Sequence, residues 1–344
     1  MSAVAELDDA FCERLLPEVS RTFALSIALL PEALRPAVRT AYLLCRIVDC
    51  IEDEADFADG TREALFDVFD GTMQDDHRPA AAFTQLARAC CLGDVRADRE
   101  LMYDATRVVR AFRALPDAQR EAIRPWVLEM SKGMRSYGRR VAEEGALGTH
   151  DLADLERYCW YVAGTVGHLL TELFCDWHVR EGHGPPPDGA RLRELGEAFG
   201  LGLQLVNIVK DIGPDAARGV TFLPNDRLAA HGLSRRDLLD PRSAAGVREV
   251  MREVCAVART NLGRASEYVF AWPGSTAAPV RLFCAVPLAL AWASLEEVER
   301  WDGALRADAS VKISRELVRR VVEEAVAGAG DDAALRGLFG SVGG

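Results

Sequence analysis

The chain has 344 residues, 49% of them hydrophobic, and a formal net charge of −12. That is enough apolar material to bury a large core, and it excludes a disordered or low-complexity chain. A surface this acidic offers no counter-charge to nucleic acid or an anionic membrane, so neither is an expected partner; an anionic ligand needs local arginines or a metal.

The amino-terminal MSAVAELDDAF is too acidic and too poor in apolar residues for a signal or transit peptide. Nine scattered cysteines with no CxxC spacing point to reduced thiols, and so to a cytoplasmic protein. Apolar residues then recur at intervals of three and four. The spacing predicts helices over roughly 7–17, 33–54, 61–73, 80–91, 97–113, 117–142, 151–176, 190–211, 244–267, 278–299 and 312–326. No break between them is long or biased enough to be a linker, and no fixed-period repeat is present. The expected architecture is all-α, one helical domain over 1–344 with its core at about 15–330, and a monomer. The longest apolar run, LFCAVPLALAWA, matches a core helix and is too short to span a bilayer, so no transmembrane segment is expected.

Within the second predicted helix, AYLLCRIVDCIEDEAD places Tyr42, Arg46, Asp49 and Asp53 at spacings of four, three and four, on one face. Leu43, Leu44, Ile47, Val48 and Ile51 fill the other faces, the pattern of a buried helix, so the carboxylates are expected to line a cavity. Two aspartates one turn apart repel, which a hard cation such as Mg²⁺ with substrate phosphate oxygens would offset. Taken alone, DxxED also fits an ordinary solvated helix end, since Glu54, Asp56 and Asp59 continue into a loop.

A second stripe in LGLQLVNIVKDIGPDAARG decides between the two readings. Gln204, Asn207, Asp211 and Asp215 succeed one another by three, four and four among apolar neighbours. Two acidic faces across a helical cavity suit a cluster of Mg²⁺ ions able to bind and ionise a diphosphate ester. Between the stripes, YCWYVAGTVGHLLTELF carries Tyr158, Tyr161, Thr165 and His168 at helical spacing. Tyr158 is a candidate general acid or base, or a hydrogen bond to a leaving group, against the alternative of a hydroxyl satisfied in the core. His168 stands alone, and no His/Cys spacing suggests zinc.

SRTFALSIALLP, AYLLCRIVDCIEDEAD, YCWYVAGTVG, LGLQLVNIVKDIGPDAARGVTFLP and VKISR, in that order, resemble the squalene/phytoene synthase family, and the tyrosine and VKISR segments its squalene synthase branch. The resemblance implies an isoprenoid-synthase fold around a central cavity. It implies Mg²⁺ ligands at Asp49, Glu52 and Asp53 and at Asn207, Asp211 and Asp215. Diphosphate contacts are implied at Ser20, Arg21 and Arg46, with Gln204, Asn207 and Lys210 beside the second set, and a catalytic role at Tyr158. Lys210, Lys312 and Arg315 mark basic positions toward NADPH, a cofactor needed only if the product is squalene. Phe23, Tyr42, Trp160, His168, Phe222 and Leu288 are the candidate cavity wall.

The implied reaction is head-to-head condensation of two farnesyl diphosphates through presqualene diphosphate. Several positions depart from the pattern: Pro214, Ala216 and Ala217 in the second motif, Cys50 for Thr, Leu288 after Pro287, and Ser314 where a base would face NADPH. These changes leave open transfer of one dimethylallyl or geranyl group to an aromatic acceptor such as a carbazole. A third alternative, a catalytically silent binding or assembly protein, predicts eroded aspartates, whereas Asp49, Asp53, Asp211 and Asp215 are all present.

Overall fold

A computed structural model describes residues 3–54, 57, 60–90, 95–144, 148–186, 188–300, 305–308 and 310–343. Asp56, Asp59 and the side chain of Arg21 lie outside the described residues. The described chain is helical, its β content an isolated bridge between Gly148 and Thr221.

In chain order the helices are α1 (Ala3–Val19), α2 (Arg21–Ala28), α3 (Arg35–Asp53), α4 (Thr61–Gln74), α5 (Ala81–Ala89), α6 (Arg96–Tyr103), α7 (Ala105–Arg113), α8 (Asp117–Glu144), α9 (Leu152–Cys159) and α10 (Thr165–Arg180). Then come α11 (Gly189–Lys210), α12 (Ile212–Ala217), α13 (Asn225–Ala230), α14 (Ala244–Ala271), α15 (Ala278–Arg300), α16 (Arg315–Gly328) and α17 (Asp332–Ser341). The all-α expectation holds. The predicted 97–113 helix is two, α6 and α7, because Asp104 leaves helical geometry at φ −119°, ψ 18°; aspartate competes poorly for a helix interior. Helices α2, α12, α13 and α17 lie outside the predicted set; α12 and α13, at six residues each, are too short for periodicity to announce.

The chain forms two compact units, residues 1–136 with 169–184, and residues 137–168 with 185–344. In the first, α3 packs against α1, α2, α4, α6 and α7. Leu43, Leu44, Ile47, Val48 and Ile51 are all 0% exposed, which at roughly 1.5–3 kcal/mol per buried side chain anchors α3 firmly in this unit. Pro36 sits in its first turn, where the missing N–H is harmless. Arg62 closes its other end, donating to the Ile51 carbonyl at 3.2 Å and the Glu54 carbonyl at 2.5 Å.

In the second unit α11 packs against α14, α15 and the turn before α10. A Cβ at Gly167 would lie 1.9 Å from the Gly196 carbonyl oxygen, and one at Gly200 2.1 Å from that of Ala163. Only glycine permits this backbone approach. The apolar run lies in α15, a helix of 23 residues that is long and apolar enough, by length and composition only, to cross a membrane, which the run alone did not suggest. Some 78% of its most apolar stretch is packed inside the protein, the pattern of a core helix.

Candidate active site: two acid sets at helix C-termini

The first acid set occupies the one face of α3 that the core does not seal. Tyr42, Arg46 and Asp49 are half-buried there, Glu52 is buried at its flank and Asp53 is exposed. The last turn of α3 holds no basic residue, although the macrodipole places about half a negative charge there. Carboxylate charge therefore accumulates where the helix itself already repels it. The Asp49 carboxyl is pushed up to about 7, by desolvation first, with Arg46 opposing and Asp53 and Asp98 adding to the rise.

Arg46 is divided between two acids. Its Nε and Nη2 donate to Asp98 Oδ1 and Oδ2 at 3.0 and 2.9 Å, a bidentate pair, while Nη1 stands 3.7 Å from Asp49 Oδ2. Asp98, on α6, is a site neighbour that sequence spacing missed, since 52 residues separate it from its partner. At the start of α2, Ser20 caps the helix, its Oγ accepting from Phe23 N at 3.3 Å. Phe23 and Tyr42 lie ring to ring at 5.4 Å. The Tyr42 phenol is pushed up to about 12 by burial, a hydrogen bond with Ser20 opposing and Asp49 contributing.

The second set begins at the C-terminus of α11. Pro214 has no N–H to offer the Lys210 carbonyl four residues earlier, so α11 stops at Lys210 and α12 starts a new axis at Ile212. The carbonyl left over accepts instead from Val311 N at 3.3 Å. Asp211 caps the junction, and Ser310 Oγ donates to its Oδ1. Lys210 Nζ donates to Asn207 Oδ1 at 3.1 Å and stands 3.6 Å from Asp211 Oδ2. Asp215 is buried in the first turn of α12, with Arg218 Nη2 2.6 Å from its Oδ1. Gln204 is half-buried three residues before the exposed Asn207.

Tyr158 is 5% exposed, stacked on Phe222 at 4.6 Å and edge-on to Tyr137 at 5.0 Å. Tyr137 is fixed in turn: its hydroxyl donates to Asp154 Oδ1 at 2.8 Å, and Arg140 grips both Asp154 oxygens at 3.0 Å. Residues 160–164 form a π turn between α9 and α10, with Thr165 N bonded to the Trp160 carbonyl. The single helical face expected for Tyr158, Tyr161, Thr165 and His168 is thereby interrupted. The Thr165 hydroxyl turns back to the Tyr161 carbonyl at 2.7 Å. Trp160 Nε1 donates to Glu197 Oε2 at 3.0 Å, and His168 Nε2 lies 2.9 Å from the same oxygen. Glu197 is a second site neighbour that sequence spacing missed, since it lies 37 residues from Trp160 and 29 from His168.

Leu288 is 0% exposed, a packed core position in α15. Lys312 and Arg315 are exposed. Ser314, where the motif would carry a base, is the N-cap of α16 and accepts from Leu317 N at 3.1 Å, a role that needs a short side-chain acceptor. An open groove of about 450 Å³, lined by Arg191, Leu195, Gly263, Ser266, Glu267, Phe270, Ala271 and Arg336, includes no residue of either acid set.

Among the described residues, no three His, Cys, Asp or Glu side chains converge into a cage. The donors of both sets are oxygen: carboxylates and one amide. Mg²⁺ is commonly held by one or two carboxylates together with water and phosphate oxygens, so this donor chemistry fits it, and the lack of thiolate or imidazole argues against zinc. The helix C-termini add to the fit, since each contributes negative potential toward a cation.

The sequence profile of the squalene/phytoene synthase family matches residues 16–316. Squalene synthase of Schizosaccharomyces pombe is 28% identical over 289 residues, 84% of this chain and 59% of that protein. A probable squalene synthase of Neurospora crassa is 30% identical over 290 residues, 84% of this chain and 56% of that protein. The chain thus matches somewhat more than half the length of these relatives. Among solved structures, TcSQS bound to E5700 superposes with a TM-score of 0.79 at 26% identity, covering 97% of this chain and 90% of the other. Motif order, helical architecture and these likenesses agree: the chain belongs to the squalene/phytoene synthase family.

Proposed function

We propose that the protein is a Mg²⁺-dependent prenyltransferase that ionises an allylic diphosphate, and that its reaction is head-to-head condensation of two farnesyl diphosphates through presqualene diphosphate. The observation that carries this reading is geometric: Asp49, Glu52 and Asp53 gather at the negative end of α3, whose last turn holds no basic residue. Such an arrangement is unfavourable until a cation arrives. Family membership supplies the substrate class, and the named squalene synthases favour the farnesyl reaction.

In this reading Asp49, Glu52 and Asp53 hold Mg²⁺ in one set, and Asn207, Asp211 and Asp215 in the other. Bound Mg²⁺ supplies neutralisation of the departing diphosphate. Arg46, committed to Asp98, orients the first set and gives it one fixed positive charge. Tyr158 and Phe222, stacked at 4.6 Å, are the aromatic rings we assign to face allylic cation character. If the product is squalene, Lys312 and Arg315 are the basic residues we assign to NADPH.

The test is to incubate the protein with Mg²⁺ and farnesyl diphosphate, with and without NADPH, and to analyse the lipid extract. Squalene with NADPH, or presqualene diphosphate without it, is the expected result. Consumption of dimethylallyl or geranyl diphosphate only on addition of an aromatic acceptor would replace the condensation by aromatic prenylation. No turnover and no Mg²⁺-dependent diphosphate binding would overturn the enzyme reading altogether.

A further inference from the structure

The contact between Ser310 and Asp211 spans 99 residues of sequence and is held on both sides. On one side, Val311 is buried and its N–H takes the Lys210 carbonyl that Pro214 left without a helical partner. On the other, the backbone of Arg306 passes so close to Gly213 that a Cβ there would lie 2.1 Å from the Arg306 carbonyl oxygen. The segment carrying Ser310 is therefore fastened to the junction between α11 and α12 by backbone contacts, and the hydroxyl is delivered to Asp211 Oδ1 as a result. Its alternative acceptor, the Val311 carbonyl at 3.5 Å, is too distant to compete.

The nature of the donor matters. Asp215 is paired with a guanidinium, which both orients and neutralises it. Asp211 receives a hydroxyl, which orients a carboxylate without cancelling its charge. Lys210, the nearby cation, hydrogen-bonds Asn207 and stays 3.6 Å from Asp211 Oδ2. A carboxylate held in one orientation suits a hard cation, and side chains that orient metal ligands commonly change affinity roughly 10- to 100-fold.

We propose that Ser310 is a positioning residue for Asp211, and that docking of its segment on α12 sets the Mg²⁺ affinity of the second acid set. This rests on the reading of Asp211 as a cation ligand, and the experiment separates the two. Isothermal calorimetry measures Mg²⁺ binding in the presence of inorganic pyrophosphate for the intact chain and for Ser310→Ala, Ser310→Thr and Asp211→Asn, each with its melting temperature in the absence of Mg²⁺. The expected result is a Mg²⁺ interaction about tenfold weaker or more in Ser310→Ala, recovery in Ser310→Thr, and melting temperatures unchanged for both. Unaltered binding in Ser310→Ala while Asp211→Asn weakens it would overturn the role of Ser310 alone. Unaltered binding in Asp211→Asn as well would overturn the cation assignment of the second set. Weakening that Ser310→Thr fails to restore would also count against a hydroxyl-specific role.

Discussion

The two acid sets each gather at the C-terminal end of a helix and differ in how their charge is handled. Both end a long helix, α3 or α11, where the dipole is negative. The first rides on a helix sealed by core contacts, has no basic residue in its last turn, and shares Arg46 with Asp98. The second sits at a proline-induced break and gives Asp211 a hydroxyl, Asn207 a lysine and Asp215 an arginine. One set stores repulsion in a rigid helix; the other distributes its partners over a jointed one. The lesson is that similar spacings of acids can encode different resting electrostatics, decided by whether the helix beneath them runs on or breaks.

The largest expected effect tests that contrast directly. Asp49→Asn should lower Mg²⁺-dependent prenyl diphosphate turnover roughly 10²- to 10³-fold. It should also raise the metal-free melting temperature, since it removes a half-buried charge beside Asp53. Asp211→Asn should lower turnover by the same order without raising the melting temperature, because Ser310 loses its charged acceptor. Equal thermal shifts in the two variants would break the comparison.

An acid with purely structural partners gives the control. Burial alone would raise the Asp154 carboxyl, but Arg140, the His150 N–H and Tyr137 hold it below its ordinary 3.8. Its folded pKa is thus lower than its unfolded one, so its stabilisation is present above pH 3.8 and is lost as pH falls through the folded value. Asp154→Asn should destabilise the protein by about 2 kcal/mol at neutral pH, with or without Mg²⁺. In urea melts that difference should shrink as the solution is acidified through the carboxylate range.

Asp98→Asn sharpens the picture of the first set. It removes the bidentate partner of a half-buried arginine, for about 1 kcal/mol of stability, and lets Arg46 turn to Asp49. Competition from the guanidinium should then raise the Mg²⁺ concentration needed for half-maximal turnover. An unchanged Mg²⁺ dependence would mean that Asp98 does not restrain Arg46. The smallest effect is expected for Asp53→Asn, a gain of about 0.5 kcal/mol in metal-free urea stability from relief at the helix terminus. A loss would show that Asp53 contributes a structural interaction.

Much of this was legible in the sequence because it arises from local pattern. Five apolar side chains around one polar stripe are enough to identify α3 as buried with an accessible face, and Pro214 marks where α11 must yield. Asp98, Glu197 and Ser310 were not legible, since each acquires its role from a residue far along the chain. The two-helix reading of 97–113 also needed tertiary information, as Asp104 carries no local stop signal such as glycine or proline. Ser314 shows a subtler limit: read as a lost base, it is in fact well suited to starting α16.

The π turn at 160–164 bears on how this chain is compared with its kin. A π turn accommodates one residue more than an α-helical turn would, so deleting one of those five should let the segment rewind as regular α-helix while the helix downstream keeps its place. A correspondence with a protein whose chain runs as unbroken α-helix here slips by one place between Tyr158 and His168 unless a gap is opened at the turn. Homologues should be matched separately on either side of it, anchored on the tyrosine before and the glycine-lined helix after.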